Sequence, residues 1–408
     1  MSSTQLPLAS PHSTWEIFTT FLKLGCISFG GPIAHIGYFR QELVLKKQWL
    51  GEAQFGQLLA IAQFLPGPAS SQLGFSLGLM HGGLRGGLAA FAGFTLPSAL
   101  LLICFGLFLP HFDRNIAVPL IHSLKILALV VVANGLVGMF QTLCTDARTA
   151  SIAGGAAAGM ILFPTGYAQL LIILGGALLG WLWCRPTDQT HQNIRCRYSV
   201  RATVAILIIF SFLLLGFVVL NRPTVHTLSI AHRFYQAGSL VFGGGHVVLP
   251  VLQQSLVGQN WLSNEQFLAG YGAAQMIPGP MFSLSAYLGF MTTTEPIRWW
   301  YATVALIAIF LPGFLLMAAA LPVWQRLGKF PTMGRMVIGV NAAVVGLLLA
   351  ALYNPLWVST IHQPPDLAIA ILAFVLLRHW KVPILLIATC CLLGVLLLPQ
   401  IVGGYGLN

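Results

Sequence analysis

The sequence predicts an all-α polytopic membrane protein made of two inverted-topology repeats of about six helices each. Three observations lead to this fold class. The chain of 408 residues is 57% hydrophobic and only 7% charged, with a mean hydropathy of +0.83. A motif rich in glycine and proline occurs twice, about 212 positions apart. The number of predicted spans between its two copies is odd, which turns the second copy upside down.

The composition identifies lipid as the main solvent, because a soluble domain carries about 25% charged residues. The net charge of +11 comes from single Lys and Arg residues at the ends of apolar runs, where they face lipid headgroups rather than nucleic acid. The seven cysteines have neither CxxC nor Cys/His ligand spacing, so we expect no metal site and no disulfide framework. No catalytic triad, phosphate loop or dinucleotide motif is recognisable, and we expect neither an enzyme nor a cofactor. No basic region precedes the first apolar run, so no cleaved signal peptide is expected.

Each copy of the motif interrupts apolar runs at two places. The first copy contains Phe29-Gly30-Gly31-Pro32, then Trp49-Leu50 and Gln63, and ends at Pro66-Gly67-Pro68. The second copy contains Phe242-Gly243-Gly244-Gly245, then Trp261-Leu262 and Gln275, and ends at Pro278-Gly279-Pro280. Matched helix interruptions in an internally duplicated membrane protein are typical of secondary transporters, with broken or re-entrant helices at the substrate site.

A helix needs about 20 apolar residues to cross a bilayer. By this criterion about thirteen segments are candidate spans: 15–38, 55–80, 86–110, 117–141, 149–164, 168–184, 201–221, 234–254, 266–291, 299–323, 336–354, 364–378 and 382–400. Four of them are short and form two matching pairs, within 149–184 and 364–400. The predicted domains are an N-terminal tail (1–14), a first repeat (15–185), a linker with an extra transmembrane helix (186–222) and a second repeat (223–408).

The orientation of the repeats follows from the count of crossings. Seven candidate spans separate any residue from its counterpart, and seven is odd, so the second repeat is inverted relative to the first. Eleven Lys and Arg residues fall on the N-terminal side and seven on the other, with Arg40, Lys46 and Lys47 counted in the smaller group. This excess predicts a cytoplasmic N-terminus and an external C-terminus.

The interruptions themselves are the predicted substrate site. A broken helix exposes N–H groups and about half a positive charge at its new N-terminus, which can hold an anion without a formal cation. The alternative is that the glycines allow close packing and the prolines kink helices. Hydroxyl and amide side chains flank the interruptions, and the predicted site comprises Phe29, Gly30, Gly31, Pro32, Gln63, Pro66, Gly67, Pro68, Ser70, Ser71, Phe242, Gly243, Gly244, Gly245, Gln275, Pro278, Gly279, Pro280 and Ser283.

The charged residues favour an anion as substrate. All nine carboxylates fall in loops or at span ends, whereas cation pumps and proton relays usually carry them within the membrane. Lys23 is a candidate fixed cation, with snorkelling to the interface as the alternative. His35 and His246 follow glycine pairs and are candidates for proton coupling, or for packing roles. Arg40 precedes Trp49 and is interpreted as an interfacial anchor or vestibule residue.

The motifs resemble those of the chromate ion transporter family. The resemblance rests on FxxxGxxSFGGP at positions 21–32, QxxPGP at 63–68, SLVFGGGHVVLP at 239–250 and QMIPGP at 275–280. It implies a long-chain, two-domain member with oppositely oriented halves that exports chromate across a bacterial inner membrane. The family is also associated with sulfate, so the resemblance leaves the substrate open among such oxyanions.

The direction of transport can be argued from electrostatics. A dianion gains on the order of 4–5 kcal/mol on leaving a cell at 100 mV, negative inside. We therefore expect efflux by alternating access, with the proton gradient as the candidate coupling. The alternatives are a sulfate importer, a passive anion channel and a non-transporting membrane scaffold. The expected partners are a small oxyanion, the lipid bilayer and a second copy of the chain in a homodimer, and no nucleic acid.

Overall fold

A computed structural model describes residues 12–29, 31–111, 113–164, 166–185, 200–219, 226–241, 248–293, 296–324 and 331–401. Within these residues every regular element is a helix, which confirms the all-α prediction. The helices are α1 (Thr14–Ile27), α2 (Gly31–Phe39), α3 (Glu52–Phe64), α4 (Ala69–Phe108), α5 (Arg114–Leu143), α6 (Ala147–Leu162), α7 (Gly166–Trp183), α8 (Val200–Val219), α9 (His226–Leu240), α10 (Val248–Leu256), α11 (Asn264–Met276), α12 (Leu284–Met291), α13 (Arg298–Ala320), α14 (Pro331–Ala351), α15 (Val358–Thr360), α16 (Pro364–Arg378) and α17 (Ile384–Ile401).

The first candidate span, 15–38, does not cross as one rod. Helix α1 ends at Ile27, and α2 runs back beside it. The Lys23 ammonium lies 2.8 Å from the Glu42 carboxylate, and the rings of His12 and Trp49 stack at 4.6 Å. Because residues 42 and 49 lie beside residues 23 and 12, α1 and α2 form a re-entrant hairpin. Its turn contains the first glycine interruption.

The second candidate span, 55–80, also folds back. His81 Nε2 lies 3.1 Å from the carbonyl oxygen of Trp49, so the chain has returned to the side on which α3 begins. Gly83 then leaves helical geometry inside α4. A Cβ on Gly78 would overlap the carbonyl oxygen of Gly86, although eight residues span about 12 Å along a continuous helix. The GGLRGG segment at 82–87 is therefore a tight interhelical turn.

Both corresponding segments of the second repeat behave in the same way. Arg233 Nη1 of α9 donates a hydrogen bond to the carbonyl of Ser255 at the end of α10, over 2.6 Å. The Tyr287 hydroxyl of α12 donates to the carbonyl of Gln266 near the start of α11, over 2.9 Å. The segments 234–254 and 266–291 thus turn back as well. Hydropathy alone could not separate a re-entrant hairpin from a crossing.

Within the described part of the chain, four helical segments are long and apolar enough to cross a membrane by length and composition: Ala69–His111, Asn115–Leu143, Arg298–Ala320 and Gly334–Thr360. The part of α4 after Gly83 packs against α13, and the two helices run in opposite directions. Phe91 packs on Phe310 and Phe314, with ring centroids 5.0 and 5.1 Å apart. At the other end of the contact, Ile103 clusters with Ala302.

Close helix contacts repeat in the two halves. A Cβ on Gly25 of α1 would lie 2.7 Å from the Phe94 carbonyl oxygen of α4, and one on Gly238 of α9 would overlap the Ile309 carbonyl oxygen of α13. Such small residues let membrane helices approach closely. Helix α8 packs on α13, where the Thr203 hydroxyl donates to the Ala319 carbonyl over 3.2 Å. Helices α1 and α9 are held against α4 and α13 by these glycine contacts.

Candidate functional site

The turns of the four re-entrant hairpins, called tips below, meet in crossed pairs. The Gly67 N–H in the tip between α3 and α4 donates to the Val241 carbonyl after α9, over 2.6 Å. The Gly279 N–H in the tip between α11 and α12 donates to the Ser28 carbonyl after α1, over 2.9 Å. Ser28 and Val241 both immediately precede the Phe-Gly-Gly part of the motif. Each repeat therefore makes the same bond to the other.

Backbone conformation and lack of space both require glycine at the two tip positions 67 and 279. Gly67 has φ +126° and Gly279 has φ +104°, a region that side-chain-bearing residues rarely adopt. A Cβ on Gly67 would lie 2.9 Å from Gly313 Cα, and one on Gly279 would lie 2.8 Å from the Ser98 hydroxyl oxygen. Ser98 and Gly313 each follow a Leu-Pro pair on equivalent helices. The crossed contacts thus extend from the tips to the crossing helices.

Polar side chains bridge the repeats at the same level. Gln72 Nε2 donates to the Pro66 carbonyl over 2.9 Å and to the Gly313 carbonyl over 3.1 Å. The Ser283 hydroxyl lies 2.7 Å from the Ser98 hydroxyl and also donates to the Pro280 carbonyl. The predicted site omits Gln72 and Ser98. The repeated Leu-Pro anchor before Ser98 is the sequence signal that could have pointed to it.

The first repeat brings free helix ends to this region. Helix α4 starts directly after Pro68 without a side-chain cap, and Ser70 and Ser71 occupy its first turn, each 3% exposed. His35 of α2 is also buried; its Nδ1 lies 3.4 Å from the Ser70 hydroxyl, and its ring meets the Phe94 ring edge-on at 5.4 Å. The N-terminal N–H groups of α4 are suited to an anion.

Other predicted site residues lie elsewhere or contact only their own repeat. Gln63 is exposed on α3, whereas Gln275 Nε2 contacts the Met281 sulfur at 3.1 Å. Phe29 is half-buried, Gly31 begins α2, and Pro278 lies in its tip. Several predictions fall outside the described residues or their described side chains: Gly30, Pro32, Phe242, Gly243, Gly244, Gly245 and His246.

The predicted cations are found at the rim rather than at the tips. The Lys23 side chain is 53% exposed and pairs with Glu42 at 2.8 Å. The Arg40 side chain is 51% exposed and pairs with Glu52 at 2.5 Å. The hydrogen bond from Lys23 lowers the pKa of Glu42, with the charges of Lys46 and Lys47 adding to it. The charges of Lys23 and Arg40 are therefore largely neutralised by the neighbouring carboxylates of Glu42 and Glu52.

One buried cation was left unassigned by the sequence interpretation. Lys125 of α5 is 8% exposed, and its Nζ lies 3.4 Å from the Ser359 carbonyl oxygen. The described part of the chain gives it no ion pair. A lysine in the interior of a candidate span was the available signal, because charges within the membrane are usually functional.

Comparison with known proteins places these features in a family context. The family model described as "Chromate transporter" matches residues 15–181 and again 228–395. A probable chromate transport protein of Synechococcus elongatus is 30% identical over 386 residues, covering 93% of each chain. A chromate transport protein of Cupriavidus metallidurans is 27% identical, covering 96% of this chain and 95% of its own. One from Pseudomonas aeruginosa is 28% identical, covering 91% and 88%. No solved structure matches the chain.

Proposed function

Because the chain belongs to the chromate transporter family, a family of multi-pass membrane transport proteins, we propose that it exports chromate across a bacterial inner membrane. The two repeats are inverted, and alternating access occurs around the crossed tips. The observation that carries this proposal is the reciprocal pair of hydrogen bonds from Gly67 to Val241 and from Gly279 to Ser28. Such reciprocity is expected of two halves related by a pseudo-two-fold axis, as in transporters built from inverted repeats.

The inverted arrangement is supported by two further features. The second part of α4 and its equivalent α13 run in opposite directions where they touch, through Phe91 and Phe310. The re-entrant hairpins remove two crossings from each repeat, so five spans separate equivalent residues and the number stays odd. We accordingly retain the proposed domains, 15–185 and 223–408, with a spanning linker helix between them.

The chemistry of the tips supports a small oxyanion as the substrate. Helix N-termini and neutral donors meet there, whereas the described carboxylates lie at helix ends or rims, as Glu42, Asp146 and Asp366 illustrate. Backbone N–H groups and hydroxyls stabilise an oxyanion without a formal charge. The site proposed is therefore the set of glycine-proline tips with Ser70, Ser71 and Ser283.

The orientation of the chain in the membrane and the direction of anion transport support each other. The α1–α2 hairpin moves Arg40, Lys46 and Lys47 to the N-terminal side, which enlarges the excess of cations there. A cytoplasmic N-terminus follows from that excess. A doubly charged anion then leaves the negative interior downhill, by about 2.3 kcal/mol per charge per 100 mV.

Uptake of labelled chromate into everted membrane vesicles tests the proposal. We expect saturable accumulation that rises with an inside-positive potential and responds to an imposed pH gradient. Vesicles carrying an empty expression plasmid provide the baseline. Accumulation only in right-side-out vesicles would indicate an importer, and flux that follows voltage without saturation would indicate a channel. Either result contradicts the proposal.

A further inference from the structure

Several buried polar atoms of the first repeat have no hydrogen-bond partner among the described residues, and four of them belong to hydroxyl or imidazole side chains. These four are the Ser28 hydroxyl, His35 Nε2, the Ser71 hydroxyl and the Thr95 hydroxyl. Each of these residues is at most 3% exposed. A buried polar atom normally has a partner, because leaving it unpaired costs the desolvation of that group. Unpaired buried atoms of this kind can receive a bound ligand.

The chain brings these four residues to one place. Ser28 forms the tip that receives the Gly279 N–H. His35 lies across from it on α2, against Ser70 and the Phe94 ring, and Thr95 follows Phe94 on α4. Ser71 occupies the first turn of α4, beside Ser70. These residues therefore belong to the elements that meet His35 near the uncapped N-terminus of α4.

At the described equivalent positions, the second repeat is apolar or has its hydrogen bonds satisfied. The counterparts of Ser28, His35 and Thr95 are Val241, Val248 and Phe310, each fully buried. Ser71 corresponds to Ser283, whose hydroxyl already bonds to Pro280 and Ser98. In addition, a 3₁₀ turn at Met281–Ser283 precedes α12, so this helix start is tightened where that of α4 is open.

We propose that the oxyanion binds one-sidedly, in a first-repeat pocket formed by His35, Ser28, Ser71, Thr95 and the N-terminus of α4. The second repeat supplies the closing tip through Gly279, and its described counterpart residues form no equivalent pocket. This inference rests on the proposed function for the identity of the ion as a tetrahedral dianion. Hydroxyl, imidazole and backbone N–H donors can each hold one of its oxygens. An imidazole N–H on one side and hydroxyls on the other fit four oxygens pointing in different directions.

Two conservative variants test the pocket. Thr95→Val keeps the shape and removes the hydroxyl, and Ser71→Ala removes only an oxygen atom. We expect each to raise the half-saturating chromate concentration in everted vesicles at least tenfold, with Thr95→Ser close to the unmodified protein. The matched controls are Ser76→Ala and Ser239→Ala, whose hydroxyls bond to the carbonyls of Leu73 and Tyr235 in their own helices. These two variants should transport as the unmodified protein does.

A second measurement separates binding from folding. Chromate or sulfate should raise the melting temperature of the purified, detergent-solubilised protein, and this rise should shrink in Thr95→Val and Ser71→Ala but persist in both controls. If the two pocket variants behave as the controls in transport and in melting, the pocket holds only water and the inference is wrong, while the proposed function stands. If the unmodified protein moves no chromate, the proposed function fails first.

Discussion

The amide of Gly67 lies 2.6 Å from the carbonyl oxygen of Val241, a residue of the other repeat that is separated from it by more than one third of the sequence. Its equivalent, Gly279, makes the same bond to Ser28. Neither bond involves a side chain, so the residue types allowed at these positions are determined by backbone geometry and by the space available.

Replacing a tip glycine is expected to impair transport severely. In Gly67→Ala the new Cβ meets Gly313 in a conformation that disfavours alanine, at a cost of about 1–3 kcal/mol. We expect chromate transport to fall at least tenfold, and Gly279→Ala to behave alike. Gly56→Ala is the matched control, since a Cβ there meets nothing within 4 Å. Vesicle uptake at equal protein levels measures the effect, and normal transport by both tip variants would refute the role of the tips.

The re-entrant hairpins predict which residues share a membrane face. Leu45 is exposed beside the start of α1, and Leu84 is exposed at the Gly83 turn. Ile116 is exposed at the other end of the second part of α4, where α5 begins. In a background without the seven native cysteines, Leu45→Cys and Leu84→Cys should react with a membrane-impermeant maleimide from the cytoplasmic side. Ile116→Cys should react from the outside. If Leu45→Cys and Leu84→Cys reacted from opposite sides of the membrane, the segment between them would have to cross it, and the hairpin would be wrong.

The Glu42 ion pair predicts a pH dependence of stability. The hydrogen bond from Lys23 holds the pKa of Glu42 below its usual range. A lowered folded-state pKa stabilises the protein above the unfolded value of about 4.3, and this contribution is lost as the pH falls through the folded value. Glu42→Gln should therefore lower the melting temperature at pH 7 and converge with the unmodified protein in acid.

The control for this effect is the exposed pair of Arg40 and Glu52, since surface ion pairs contribute little. Glu52→Gln should leave the melting curve unchanged at every pH. Equal melting temperatures of Glu42→Gln and the unmodified protein at pH 7 would contradict the expected stabilisation.

Lys125 is expected to matter for transport rather than for stability. Its ammonium is buried against a single carbonyl at 3.4 Å, and such a charge costs free energy that a structural role does not repay. Lys125→Met should reduce chromate uptake at least tenfold without lowering the melting temperature. Lys46→Met, which removes a side chain that is 59% exposed, is the control. Undiminished uptake by Lys125→Met, with a higher melting temperature, would show that the charge has no part in transport.

The sequence predicted the helical membrane fold and the glycine interruptions, because both depend on local residue chemistry. The interruptions predicted broken or re-entrant helices, but hydropathy could not decide whether 15–38 crosses or folds back, since it records the length of an apolar run and not its direction. Ser98 was missed because its role depends on a partner in the other repeat, Ser283, which lies 185 positions away. The ion pair of Lys23 with Glu42 could not be predicted, since the sequence interpretation placed Glu42 beyond the end of the first candidate span.

The crossed amide–carbonyl bonds also limit how stable the closed state can be relative to the open states. A single neutral hydrogen bond contributes about 0.5–1.5 kcal/mol net, so parting either pair requires little more than thermal energy. Because both bonds are of the same kind, opening toward the cytoplasm and opening toward the outside start with nearly equal costs. The membrane voltage and the cargo, rather than the polypeptide, would then decide which face opens.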